Sequence, residues 1–466
     1  MNAAANYGQV DDSIITAMSR IVGEGNVLTG ADRENYARDE TPDAVPVMPE
    51  LVVKPATTDE VAAILKLADS HRIPVTPRGG GTGISGGAVP LPGGIVLSLE
   101  RMNRILEIDR DNFVATVQPG VILCDLYTAV EEQGLYYPLY PGEIHSSVGG
   151  NVATNAGGMR AVKYGVTRNF VLGLEAVLPS GEIITTGGKY VKCSTGYDLT
   201  QLITGCEGTL AVITAIMLKL IPPPGRREVL FVPFTSLDMA IAAVPAILKS
   251  GILPVGIEFF EQDIAAVVEK YTGKELPMHD YAAYLIIIIE AESEAAIEAT
   301  ATELAEICLT SGAVDIFMPG SERAKRSLLE MREKFFPAIS SCGRPEIVDA
   351  VVPRSRIADF IGEIKALAAD AGIPLISYGH AGDGNVHLHP MRQGTPEDDV
   401  RVKELLKRIF EIGVAMGGTI SGEHGLGTVK KEYLPIAADP TKIALLQRIK
   451  QAFDPNGIMN PGKMLD

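Results

Sequence analysis

Three of the seven histidines in this 466-residue chain fall within GHAGDGNVHLHP, Gly379 to Pro390. Further on, SGEHG sets Glu423 and His424 side by side between glycines. Two imidazole nitrogens and one carboxylate oxygen suit zinc, or a similar divalent ion such as iron or manganese, with positions left open for a substrate. His380 and Glu423 each offer one donor. Residues two apart on a strand share a face, so His387 and His389 are alternatives for the other nitrogen. A lone histidine is more often a hydrogen-bonded core or surface group than a ligand. Four candidate groups in two glycine-rich turns favour a metal, and the glycines are expected to let the chain turn close to it. Of the remaining histidines, His71 and His279 read as solvated, and His145, which follows Pro141, Gly142 and Glu143, as a neighbour of a site.

The elements that position these groups are legible around them. PLISYGHAGDGNVHLHP reads as a strand that turns and continues, and a helix over Pro396 to Met416 leads to SGEHG. Upstream, from Glu50 to about Pro224, short β-branched runs alternate with Gly and Pro, interrupted by helical patterns at Thr58 to Ser70 and Ile122 to Gln133. Thr57 or Thr58 is placed to cap the first of these helices. IPPPG, Ile221 to Gly225, marks a domain boundary. Beyond it come βαβ-like units with helices through Leu248, over Glu292 to Thr310, near Ser321 to Phe336, and over Arg356 to Ala371. The whole is an α+β protein.

Composition narrows the classes. With 46% hydrophobic residues, the chain can fill several cores. The apolar run of most note, Leu285 to Ile289, falls far short of the roughly 20 residues of a spanning helix and reads as a buried strand. The N-terminal MNAAANYGQVDDSIITAMSR lacks the features of a signal peptide, which points to the cytoplasm. A net charge of -17 argues against nucleic acid and anionic membranes as partners. Cys124, Cys193, Cys206, Cys308 and Cys342 show no metal or redox spacing and read as buried, reduced thiols.

PVTPRGGGTGISGG, Pro74 to Gly87, carries a G-x-G-x-x-G match at Gly81, Gly83 and Gly86, with Glu100 near the distance expected of a dinucleotide-binding Rossmann turn. That motif requires a helix next. GAVPLPGGIVLSL instead gives prolines, glycines and another strand, so the Rossmann reading fails. Strand, glycine loop and strand still present many backbone N–H groups, a nest suited to a diphosphate. Small residues and amides crowd Ser146 to Gly158 in the same way.

Together with TGYDLTQLITGCEGTLAVIT, Thr195 to Thr214, these segments resemble the FAD-binding domain of the vanillyl-alcohol oxidase and para-cresol methylhydroxylase superfamily. The whole chain, including FDPNGIMNPGKML near its end, is similar to the branch of glycolate oxidase D-subunits and D-lactate and D-2-hydroxyglutarate dehydrogenases. The resemblance implies a two-part FAD-binding domain over residues 1–224, a substrate or cap domain with a helix-covered antiparallel sheet over 225–433, and a segment returning to the FAD domain over 434–466. It places FAD contacts on Pro77, Arg78, Gly79, Gly80, Gly81, Thr82, Gly83, Ser85 and Gly86. Others fall on Pro141, Gly142, Ser147, Val148, Gly149, Gly150, Thr154, Asn155, Gly158, Glu207, Ile213 and Asn460. The loop lacks the histidine to which some relatives attach the flavin, so non-covalent FAD is implied.

The same resemblance selects His387 over His389 beside His380 and Glu423. MREKFFPA, Met331 to Ala338, is similar to the segment that supplies a substrate-binding arginine, here Arg332; the alternative is a surface arginine paired with Glu330 or Glu333. A divalent ion beside a flavin suits a 2-hydroxy acid: the ion holds the hydroxyl and a carboxylate oxygen, and His424 is placed to take the hydroxyl proton. The strand PEIVDAVVP lacks the extra basic group expected for the second carboxylate of 2-hydroxyglutarate, which favours D-lactate or glycolate. With no cluster motif in the chain, an external electron acceptor is required: an iron-sulfur subunit, an electron-transferring flavoprotein or a quinone. Two other readings are a metal-independent flavin alcohol oxidase and a non-catalytic flavin-carrying subunit.

Overall fold

The computed structural model describes residues 7–465. Residues 1–6, where the stretch without signal-peptide features begins, and Asp466 lie outside them. The chain forms two compact units: one combines the residues up to Ala156 with Val166–Pro223 and the chain from Glu423 onward, and the other combines Gly157–Gly165 with Pro224–Gly422.

In the first unit, the strands Leu51–Val53 and Val75–Arg78 pair in parallel with Ile95–Ser98 between them. The helix Thr58–Ser70 covers this sheet because Val61, Ile64, Leu65 and Ala68 follow helical spacing along one face and are buried. Thr57 caps it, accepting the Glu60 N–H at 3.2 Å. A second sheet is antiparallel, in the order Ile105–Asp109, Val114–Val117, Val212–Lys219, Val171–Val177 and Ile183–Gly187. The end of the chain belongs to this unit: the Val75 N–H donates to the Ile458 carbonyl, and Asn460 N–H donates back to Val75.

The second unit is an antiparallel sheet whose middle strands are buried along most of their length. Ala283–Ala291, which contains the run Leu285 to Ile289, lies between Arg226–Phe234 and Gly256–Glu261. Gly256–Glu261 then pairs with Leu375–His380, and that strand with Asn385–Arg392. Both Val348–Val351 and Arg344–Pro345 add to the last of these. Helices Leu237–Lys249, Glu294–Thr310, Ile357–Asp370 and Pro396–Ala415 form in the stretches where helical spacing predicts them. The helix expected near Ser321 to Phe336 is instead two, Glu322–Glu333 and Phe335–Cys342, which break at Lys334.

Two boundaries differ from the sequence reading. Residues 157–165 join the second unit because Lys163 pairs with the buried Glu290 carboxylate at 2.8 Å, and Tyr164 also hydrogen-bonds to it. The returning segment begins at Glu423 rather than 434, since Leu426 and Gly427 already donate to Glu207 of the first unit. The cysteines are all free, and Cys206 and Cys308 are buried, but Cys193 and Cys342 are exposed and Cys124 half-buried, against the expectation of buried thiols. Cys193 lies in an irregular loop and Cys342 ends a helix, where little packs over a side chain. Among the described residues, no helix is long and apolar enough to cross a membrane.

Candidate active site

At the centre of the second unit is a carboxylate that the sequence reading overlooked. Glu258, in the apolar strand Gly256–Glu261, is fully buried, and burying an unpaired charge is strongly unfavourable. Its partners come from two other elements. Arg332 donates through Nε at 2.9 Å and Nη2 at 2.6 Å, and His380 Nδ1 lies 2.7 Å from the other oxygen. Burial raises the Glu258 carboxyl, but His380 and Arg332 outweigh it and hold the group below its usual range. Arg332 is therefore buried and not a surface residue. Glu330 pairs with Lys274 instead, and the Arg332 guanidinium lies over the rings of Tyr378 and Phe335, 4.8 and 5.0 Å from their centres.

With Nδ1–H donated to Glu258, His380 turns its Nε2 lone pair to the other side of the ring. That atom is 3.3 Å from Nε2 of His387, on the neighbouring strand. The separation matches the roughly 3.3 Å expected between two nitrogens bound tetrahedrally at about 2.0–2.1 Å to zinc. Donor chemistry and spacing both fit an ion held by these two residues. His389 is committed elsewhere: its Nδ1 lies 2.9 Å from the Glu346 carbonyl and its ring stacks on Tyr378, with centroids 5.2 Å apart. Asp349, opposite His387 in the strand ladder and also buried, accepts Asn385 Nδ2 at 2.7 Å, Ser421 Oγ at 3.0 Å and Gly422 N–H at 3.0 Å. It fixes the turn immediately before Glu423.

The glycines around these histidines do not face open space. A Cβ on Gly379 would stand 2.3 Å from the Asn385 carbonyl oxygen, on Gly382 2.9 Å from Val162 and on Gly384 2.2 Å from the Val352 carbonyl oxygen. They allow strands and turns to pack closely on one another.

In the first unit the loop from Gly79 to Gly87 is different. Gly80, Gly83 and Gly87 have no protein atom nearer than 3.5 Å to a would-be Cβ, and Gly142 has none within 4 Å. Gly79 packs on Ser147, whose Oγ accepts the Gly80 N–H at 3.1 Å. Thr82 lies in this loop beside Gly81, and Pro77 packs against Gly208. Val148, Gly149, Gly150 and Thr154 lie on the short helix Val148–Thr154, which Ser147 caps, and Asn155 ends it in the left-handed region at φ 53°. Ile213 is buried opposite Ala176, and Pro141 is buried beside an exposed Gly142. Asn460 Oδ1 and Asn151 Nδ2 are buried without a hydrogen-bond partner, as fits a polar ligand supplying one. Asn151 was missed in the sequence, although it sits in the amide-rich stretch singled out there.

Three expected flavin contacts have their side chains occupied. Arg78 donates to the Arg38 carbonyl at 2.9 Å and stands over the Tyr36 ring. The Glu207 carboxylate accepts the Leu426 and Gly427 N–H groups, and Ser85 Oγ donates to the His424 carbonyl. Gly86 packs against Thr428 of the same returning loop. Gly158 falls in the strip that joins the second unit. His145 is exposed, with Nδ1 3.8 Å from Cys124 Sγ, and His71 and His279 are exposed as expected.

A parallel-sheet unit with an open glycine loop, joined to a helix-covered antiparallel sheet, defines a flavoprotein fold of the vanillyl-alcohol oxidase type. The chain aligns in structure with 4-ethylphenol oxidase from Gulosibacter chungangensis at a TM-score of 0.79 and 21% identity, covering 97% of this chain and 96% of that one. Residues 49–187 match the family described as "FAD binding domain", and residues 223–464 match "FAD linked oxidases, C-terminal domain". The protein belongs to this FAD-linked oxidase family. It is 47% identical to an uncharacterised FAD-linked oxidoreductase of Mycobacterium tuberculosis, over 95% of this chain and 97% of that one. It is 39% identical to a D-lactate dehydrogenase of Anaerostipes hadrus, over 98% of each. It is thus an FAD-dependent oxidoreductase of the branch that holds D-lactate, glycolate and D-2-hydroxyglutarate dehydrogenases.

Proposed function

We propose that this enzyme oxidises a small D-2-hydroxy acid, D-lactate or glycolate, to the 2-oxo acid. The observation that carries the reading is the convergence of His380 and His387 Nε2 at 3.3 Å beside the buried Glu258–Arg332 pair. When bound, non-covalent FAD supplies the hydride acceptor and a divalent ion supplies Lewis acidity toward the hydroxyl and carboxylate oxygens. His380, His387 and Glu423 would hold the ion. Arg332 takes the substrate carboxylate with the N–H groups not given to Glu258, and its fixed fork orients Cα. His424 accepts the hydroxyl proton and later returns it to solvent. Asp349, a buried anion beside His387, disfavours a second substrate carboxylate, which supports lactate or glycolate over 2-hydroxyglutarate. Electrons pass to an external carrier, either an iron-sulfur subunit, an electron-transferring flavoprotein or a quinone, and the reaction is assigned to the cytoplasm.

An anaerobic screen tests the reading. D-lactate or glycolate is expected to bleach the flavin absorbance, and L-lactate and 2-hydroxyglutarate to do so at least ~10-fold more slowly. Chelation is expected to reduce the rate by ~100-fold or more, with recovery on adding back zinc or manganese. Full turnover after complete metal removal would instead establish the metal-independent alcohol oxidase, and no bleaching by any hydroxy acid the non-catalytic subunit.

A further inference from the structure

The backbone that carries His424 is held by two side chains of the flavin-binding segments. Glu207 adopts φ 51°, a left-handed conformation that is unfavourable for a residue other than glycine and persists where surrounding contacts enforce it. Its carboxylate, also buried, accepts the N–H groups of Leu426 and Gly427, both at 2.7 Å. Its carbonyl accepts Asn460 Nδ2 at 2.8 Å, which fixes it from behind. On the other side, Ser85 of the glycine loop donates Oγ–H to the His424 carbonyl at 2.9 Å, and its own carbonyl accepts the Thr428 N–H at 2.9 Å. Gly425 and Gly427 have positive φ and no room for a side chain. A Cβ would stand 2.8 Å from Glu207 Oε1 at the first and 1.8 Å from the Ser85 carbonyl oxygen at the second. All five residues from His424 to Thr428 are hydrogen-bonded to Glu207 or Ser85, the Gly425 carbonyl accepting from Ser85 Oγ at 3.4 Å.

We propose that Glu207 and Ser85 are positioning residues for His424: they clamp its loop to the flavin-binding segments, so that the base is set by the same backbone that holds the cofactor. The assignment rests on the reading of His424 as the general base. Glu207 was expected to touch FAD, and its two carboxylate oxygens accept from the returning loop. An error of about 1 Å in the placement of a reacting group costs ~100-fold in rate, so a loosened clamp is visible in kinetics without any change in the His424 side chain.

The test uses FAD-loaded enzyme and the 2-hydroxy acid that bleaches wild-type flavin fastest. Glu207→Gln leaves one acceptor and turns an amide N–H2 toward a backbone N–H, Ser85→Ala removes one bond, and His424→Ala is the reference. Flavin reduction by rapid mixing is expected to slow ~100-fold in Glu207→Gln and ~10-fold in Ser85→Ala, with FAD content unchanged and half-saturating substrate within ~3-fold of wild type. Both variants are expected to speed up by about tenfold per pH unit where the wild type is level, because hydroxide replaces a misplaced base. Amide exchange at Leu426 to Thr428 is expected to quicken. If His424→Ala is slow while both clamp variants reduce flavin at the wild-type rate, the positioning role is overturned and the base assignment stands. Losses explained by lost FAD, or slowed reduction with amide exchange unchanged, also overturn it. Wild-type reduction by His424→Ala removes the base assignment and this proposal with it.

Discussion

In the loop Gly79–Gly87, the places where Cβ atoms would stand on Gly80, Gly83 and Gly87 have no protein atom nearer than 3.5 Å. In the histidine turn the corresponding places on Gly379, Gly382 and Gly384 are filled by protein atoms at 2.2 to 2.9 Å. The two stretches look alike as sequence, both being glycine-rich and flanked by strands. One set of glycines leaves space on its outer side for a ligand, whereas the other lets chain segments close on one another. A glycine-rich motif marks close approach, and only its neighbours tell whether ligand or protein is approaching.

Substitution separates the two cases. Gly384→Ala is expected to be the most damaging change. Its φ of 96° and the Val352 carbonyl oxygen 2.2 Å away leave no relaxed conformation, so a loss of about 3 kcal/mol or more and poor soluble yield should follow. Gly83→Ala, with its nearest atom 3.9 Å away, should keep the unfolding midpoint of FAD-free protein within ~2 °C while lowering FAD affinity by ~10-fold. Equal stability of the two variants in chemical denaturation would erase the distinction.

A smaller effect is expected at Glu258, which orders the histidine turn by charge rather than by packing. Glu258→Gln keeps the shape but gives up the anion that holds both His380 and Arg332, so metal affinity should fall 10- to 100-fold in competition with a chelator. Zinc content unchanged at limiting free metal would show that His380 needs no such partner.

A pH-dependent effect lies just beyond the flavin loop, where Lys463 ties back the Val89 carbonyl at 2.5 Å. Burial pushes its ammonium down from the usual 10.5 to about 8. The unfolded chain then binds the proton more tightly than the folded one, so stability rises as pH climbs from about 8 toward 10.5. Measured against Lys463→Met, wild type should gain at most ~3 kcal/mol across that window. A constant difference between the two would contradict the lowered value.

Much of this was readable beforehand, for reasons specific to each element. Leu285 to Ile289 read as a buried strand because so continuous an apolar run needs cover on both faces, and it has a strand on each side. The loop at Gly79–Gly87 was set apart from a Rossmann turn by the prolines that follow, and a strand, Ile95–Ser98, does come next. Glu258 was missed although it left a trace, an acid inside the otherwise apolar GIEFFE. Its cation lies 74 positions away, and only the fold supplies it. Arg78 and Glu207 were assigned to the cofactor from their place in a motif, and the contacts of their side chains with Arg38 and with Leu426 and Gly427 were not readable there, because a motif fixes the position of a residue and not its partners. Burial of the cysteines depends on neighbours distant in sequence, and spacing is silent about those.

The first unit is assembled from three separate stretches of chain, and its Val75 strand is completed by Ile458 and Asn460. Nearly all of the second unit is one continuous stretch, Pro224–Gly422. On the ribosome, the second unit is synthesised while the first is still missing an edge, for ~10 to 40 s at typical elongation rates. The bonds from Val75 to Ile458 and Asn460 can form only after Pro224–Gly422 has been made. A truncated or stalled chain would carry the complete histidine pair and no finished place to hold the flavin.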